Sequence, residues 1–205
     1  MAAIIRSGAS TDQLTIDATS KAARVTLYNS DGTYNGEKQT YRAASLDPFV
    51  AAVTTDVPWF LIEGSATKTV TVKRIAVSGM TLTAVAYLTV NVTKHSTAAS
   101  GGTSTAAVVV PVDSTFAAGT ATVKYYTVGP TPGTLVGTLA TNRSLAQATT
   151  AAAAGLPRDW LFDFGDMPET RGIVLRGTAQ GLALVWATAP ATAVTLAVDV
   201  EWTEE

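Results

Sequence analysis

Apolar and polar residues alternate along most of this chain with a period of two. Val194, Leu196, Val198, Val200 and Trp202 alternate with Thr195, Ala197, Asp199, Glu201 and Thr203. Successive side chains of a strand point to opposite faces, so the pattern predicts a strand with one apolar and one polar face. Leu82, Ala84, Ala86, Leu88, Val90 and Val92 alternate in the same way with Thr81, Thr83, Val85, Tyr87, Thr89, Asn91 and Thr93. That run is long for one strand, which predicts a bend or a bulge. Upstream, Val70, Val72, Arg74 and Ala76 alternate with Thr71, Lys73, Ile75 and Val77, and Ser78-Gly79 follows. With Ser78-Gly79 as the turn, residues 65–93 are predicted to form a β-hairpin.

Further strands are predicted at 24–28, 59–63, 106–110, 121–127, 134–139, 160–164, 172–176 and 182–186. Turn chemistry separates them: Asn29-Ser30-Asp31-Gly32, Ser100-Gly101-Gly102, Gly129-Pro130-Thr131-Pro132-Gly133 and Thr178-Ala179-Gln180-Gly181. Two short helical segments are predicted. Residues 45–53 open on Ser45 as an N-cap with Pro48 early, and residues 145–154 are Ala-rich and end at Gly155-Leu156-Pro157. Many short strands with regular turns and no long helices predict an all-β fold, an antiparallel β-sandwich of jelly-roll-like form. Residues 1–57 are more polar and less regular, and carry Arg6, Lys21, Arg24, Lys38 and Arg42. They are expected to form an N-terminal arm or small β lobe, with residues 58–205 as the sandwich. An ordinary first hairpin of the same sandwich is the alternative.

Composition narrows the chemistry. The 205 residues include no cysteine, which removes disulfides, thiol nucleophiles and thiolate metal sites. The length is ample for a core without such staples. Charged residues are 15 % of the chain, against about 25 % in ordinary domains, while Ala and Thr make up about a third. No apolar stretch reaches the ~18 residues of a spanning helix, and Met1 to Gly8 lack the pattern of a signal peptide, so neither membrane insertion nor export by a leader is expected. A net charge of -2 with dispersed basic residues argues against nucleic acid as a partner. A low-charge, Thr-rich surface suits a protein whose neighbours cover part of it.

His95 is the only histidine, so a Ser-His-Asp triad would depend on it alone, and no Gly-x-Ser-x-Gly elbow supplies a serine. It follows a long strand and precedes a Ser/Gly/Thr loop, and a loop-end histidine making a local hydrogen bond is the expected role. Asp159, Asp163, Asp166 and Glu169 form an acidic cluster with Arg158 and Arg171 as counter-charges. Paired carboxylates can hydrolyse glycosides and clustered oxygens can hold calcium, but the spacing does not match an EF-hand loop, and a solvated rim is expected. Asp163-Phe164-Gly165 lacks the companion motifs of a kinase, and no phosphate-binding glycine motif occurs. Trp59, Trp160, Trp186 and Trp202 are expected to pack in or beside the core. The sequons at Asn91 and Asn142 are frequent by chance in a Thr-rich chain. No catalytic, cofactor-binding or metal-binding residue is assigned, and no cofactor is expected.

Three stretches carry a resemblance. They are Leu61-Ile62-Glu63-Gly64-Ser65-Ala66 leading into Thr69 to Ile75, Leu88-Thr89-Val90 through Lys94 to Thr103, and Gly172 to Gly177 with Gly181-Leu182-Ala183-Leu184, closing on Val200-Glu201-Trp202. Over roughly the last two-thirds of the chain, this texture resembles the virion structural proteins of tailed bacteriophages. The resemblance implies a non-enzymatic β-sandwich on the particle surface, oligomeric and with a trimer favoured. Its partners would be the major capsid protein or other virion proteins. A capsid decoration or cement protein is expected ahead of a tail- or fibre-associated one. A carbohydrate- or receptor-binding module and a hydrolase using the acidic cluster are the readings from other classes.

Overall fold

The computed structural model describes residues 15–16, 23–24, 38–45, 54–81, 86–146, 160–165, 172–191 and 194–205. By contacts the chain divides into Met1–Lys38 and Gln39–Glu205. In the first unit, β1 (Thr15–Ile16) pairs antiparallel with β2 (Ala23–Arg24).

The second unit holds two sheets. Sheet I contains β4 (Pro58–Glu63), β6 (Ala86–His95), β7 (Thr103–Ala106), β9 (Thr122–Val128), β10 (Leu135–Ala146) and β13 (Gly181–Trp186). Their spatial order is β10-β6-β13-β4-β9-β7. Sheet II contains β3 (Gln39–Ala44), β5 (Val70–Thr81), β8 (Val109–Pro111), β11 (Trp160–Asp163), β12 (Ile173–Leu175) and β14 (Val194–Glu204). Its order is β11-β5-β14-β3-β8, with β12 also beside β5. Every pairing is antiparallel. The pairs are nested: β6 with β10, β5 with β11 and β12, β4 with β13, and β3 with β14. In the described residues of Gln39–Glu205, two antiparallel sheets thus pack face to face, with β7 to β9 between β6 and β10 in chain order.

The alternation read from the sequence decides which side chains meet between the layers. Val194, Leu196, Val198, Val200 and Trp202 of β14 are all buried, as are Leu88, Val90 and Val92 of β6. They join Phe60, Ile62, Ile75, Val77, Leu182 and Leu184 in one apolar core drawn from both sheets. Trp59 stacks on Trp186 with ring centroids 5.3 Å apart, and Tyr41 stacks on Trp202 at 6.0 Å. β4 and β13 are buried at every position. The reason is a second, smaller apolar cluster on the outer face of sheet I: Leu61, Tyr126, Ala183 and Val185, with Ala99 packed against them.

Three expectations are corrected. Ser78-Gly79 is not a turn. β5 runs through it, β5 and β6 lie in different sheets, and Ser78 and Gly79 pair with Ala197 and Leu196 of β14. The glycine is there because the neighbouring backbone crowds it: a Cβ on Gly79 would stand 2.2 Å from the Thr195 carbonyl oxygen. Residues 106–110 are not one strand. Ala106 ends β7 in sheet I, and Val109 begins β8 in sheet II. Leu145 and Ala146 do not start a helix but end β10, and the remaining residues of that segment, like 46–53 of the other, lie outside the described residues. Within the residues expected to form the N-terminal arm or small β lobe, β3 pairs with β14 in sheet II.

Candidate functional site

Among the described residues, two buried polar clusters and two exposed apolar rims are the places where this fold departs from plain packing. The first cluster lies on the outer face of sheet I. His95 ends β6 and is 5 % exposed. Its Nδ1 is 3.0 Å from the Gly133 carbonyl oxygen, which can only accept, so Nδ1 carries the proton and Nε2 is free to accept from the Thr93 hydroxyl at 3.0 Å. A hydroxyl, an imidazole and an orienting carbonyl in that order are the parts of an activated nucleophile. Here, however, Thr93 is itself buried, and the cleft beside His95 is too narrow to hold a water molecule. The imidazole therefore fastens the segment before β10 onto the sheet. Neighbouring bonds extend that fastening: Ser96 N–H to Thr134 O at 2.9 Å, Thr134 N–H to Thr97 Oγ1 at 2.7 Å, and the Ser100–Thr131 bridge. Gly133 has to be glycine, since a Cβ would meet the Thr97 carbonyl oxygen at 1.8 Å.

On the same face Gly181 pairs with His95 on one side and Glu63 on the other, so both side chains flank a position that has none. Glu63 is paired with Lys124 at 2.6 Å. Burial raises the Tyr126 hydroxyl above its usual range, with Lys124 lowering it and Glu63 raising it further.

The second cluster has Glu204 at its centre. Its side chain has no exposed surface. The carboxylate accepts from Trp202 Nε1 at 3.0 Å, from Ala121 N–H at 2.9 Å, and from the N–H and hydroxyl of Thr120 at 2.9 and 2.7 Å. Burial alone would raise this carboxyl, but the bonds from Trp202, Ala121 and Thr120 outweigh it and hold the group below its ordinary value. Lys68 Nζ lies 4.0 Å away and donates to Gln39 Oε1 at 2.8 Å. The Tyr41 hydroxyl is 2.9 Å from Ala117 O, and burial together with the Glu204 charge raises it. Sequence reasoning did not single out Glu204. Its one legible sign was its place on the apolar side of the β14 alternation, two residues past Trp202; its other partners, Ala121 and Thr120, lie 83 and 84 residues away.

Of the acidic cluster, Asp163 ends β11 and accepts from Gly165 N–H at 2.9 Å, an Asx-type turn. Asp159, Asp166, Glu169, Arg158 and Arg171 lie outside the described residues. Among the described residues, no three acidic or His side chains gather as metal ligands. No described helix is long and apolar enough to cross a membrane. All four tryptophans are buried. Among the described residues the exposed aromatic is Tyr87, with 64 % of its surface open and the Arg143 guanidinium 4.7 Å from its ring centre. It adjoins a rim of exposed apolar side chains on β10: Leu135, Val136, Leu139 and Leu145. Val108, Val110 and Val112 are exposed around the opposite edge of sheet II, beside a groove lined by Thr40, Arg42, Pro111 and Glu201. Arg42 and Arg74 both pair with Glu201 there.

No known family model, curated protein or solved structure matches this chain.

Proposed function

We propose that this chain is a non-enzymatic structural component of a tailed-phage particle, a decoration protein that stabilises the head by bridging capsid subunits. The structural observation that the reading starts from is the nested strand order. With β7 to β9 set aside, β3-β14-β5 with β11 and β12 faces β4-β13-β6-β10. That is the order expected of a jelly roll, an architecture shared by viral capsid, lectin and cupin domains. Fold alone chooses no function among those. The resemblance to virion proteins and the low-charge surface favour the particle, and the apolar rims at both sheet margins offer places for neighbours to sit. The mechanism would be mass action, since a protein that binds only the assembled lattice stabilises it.

Native mass spectrometry of the purified protein, alone and mixed with empty heads, tests this. Coating of heads at lattice stoichiometry supports decoration. A protein that ignores heads sinks that role and leaves a tail- or fibre-associated one. Exposed Tyr87 favours a second reading as a carbohydrate- or receptor-binding module, because an open aromatic face can stack on a sugar ring. Glycan-array binding lost in Tyr87→Ala would support it.

A further inference from the structure

β10 is unlike every other sheet margin among the described residues. The other edge strands of the two large sheets are three or four residues long, β7, β8, β11 and β12, and β1 and β2 are two residues each. β10 is twelve. An edge strand offers a row of unpaired backbone N–H and C=O groups, and proteins blunt such edges by shortness, proline, charge or bulges. β8 carries Pro111. β10 has no proline and a single charge, Arg143. Bulges interrupt its first half, at Leu135/Gly137 and Thr138/Ala140. From Ala140 to Ala146 its register with β6 is unbroken, and nothing in that stretch blunts the edge except Arg143, which is drawn over its own Tyr87 ring.

We infer that this edge is an interface between two copies of the chain, with β10 pairing antiparallel to β10 of a second copy and joining the two six-stranded sheets. Length selects a copy as the occupant: no other described edge strand of the chain could match the regular stretch, whereas β10 matches itself. A two-fold axis is the commonest closed arrangement of identical chains. The single charge sets the register. Centring the axis on Arg143 would oppose two guanidinium groups, which destabilises a cross-strand pair. Centring it on Asn142 opposes Arg143 to Thr141 and Ser144 to Ala140 of the second copy. It also brings the exposed Leu145 of each chain beside the exposed Leu139 of the other. The contact is two-fold, in place of the trimer expected from the resemblance, and it does not depend on the virion role.

The absence of cysteine supplies a clean probe. In Asn142→Cys the two thiols would face each other across the axis, where antiparallel partners have Cα atoms about 4.5–5.5 Å apart, within disulfide reach. The expected result is a wild-type dimer in analytical ultracentrifugation. Oxidation should link Asn142→Cys covalently about tenfold faster than Ser104→Cys on β7, and Leu139→Lys with Leu145→Lys should weaken the dimer at least about tenfold with unchanged circular dichroism. A wild-type monomer or trimer overturns the inference. So does cross-linking of Asn142→Cys no faster than Ser104→Cys, or a double-lysine variant that dimerises as tightly as wild type. Failure to bind heads by an intact dimer would count against decoration alone.

Discussion

Removing the carboxylate of Glu204 is the sharpest single test of how this sandwich is held. Glu204→Ala leaves the Trp202 indole N–H and the Ala121 and Thr120 N–H groups without the acceptor that a fully buried carboxylate gave them. A buried donor left unsatisfied costs about 1–3 kcal/mol. Thr120 is exposed enough for water to relieve its share, so the expected loss is about 3–5 kcal/mol, the range seen when one side of a buried charged network is removed. Glu204→Gln keeps the shape and one acceptor oxygen but turns an amide N–H2 towards donors, and should cost about 2–3 kcal/mol. Urea unfolding followed by tryptophan fluorescence reads both, provided the denaturant slope is unchanged. The pH dependence gives a second arm. The native carboxyl is held below its unfolded value of about 4.3, so its contribution is complete above that pH and is lost as pH falls from there through the lower native value. Glu204→Gln should remove that part of the acid slope. A loss below about 1 kcal/mol in Glu204→Ala, or an acid slope in Glu204→Gln equal to wild type, would refute the assignment of Glu204 as the pin of this end of the fold.

Other outcomes follow from contacts already described. Gly79→Ala should destabilise by about 2 kcal/mol or more in the same urea assay, because the new Cβ has the Thr195 carbonyl in its way; a neutral effect would return Ser78-Gly79 to a turn. His95→Ala should cost about 1–3 kcal/mol and open residues 129–134 to limited proteolysis, since the bond to Gly133 is lost. Tyr41→Phe should cost about 1 kcal/mol at neutral pH through the lost bond to Ala117. Because burial and Glu204 raise the native Tyr41 hydroxyl, its contribution is complete below the unfolded value of about 10 and is lost as pH rises through the native one. The variant should then decline less steeply than wild type in an alkaline stability series.

Legibility followed the range of the interactions. β14 and β6 were readable because a period of two is a local signal, and the apolar residues it set on one face, Val194 to Trp202 and Leu88 to Val92 at every second position, are buried; β4, β9 and β13 were readable only as short apolar runs between turns, and β4 and β13 are buried at every position. Ser78-Gly79 misled because a glycine needed for close approach of a neighbouring strand looks locally like a turn glycine. Val108 to Val110 misled because a chain that changes sheets keeps its β-branched composition while it crosses. The end of β10 misled because alanine and leucine suit a helix, and only pairing with β6 makes Leu145 and Ala146 a strand. His95 was expected at a loop end with a local hydrogen bond; it is the last residue of β6, its contact with Thr93 is local, and its bond to Gly133, 38 residues away, was beyond a local pattern. Glu204 was missed for the same reason.

The nested order also governs how the chain can reach its native state. Arg42 and Glu201 sit side by side on β3 and β14 yet are 159 residues apart in sequence. β14 comes last in chain order but lies in the middle of sheet II, between β5 and β3. Sheet II therefore stays split until this final ribbon slots in, and closing so long a loop belongs to the slow, millisecond-to-second class of folding. Until then the facing margins of β3 and β5 are open to the wrong partner, so the synthesis of one chain beside another of its kind is the moment at which misassembly competes with folding.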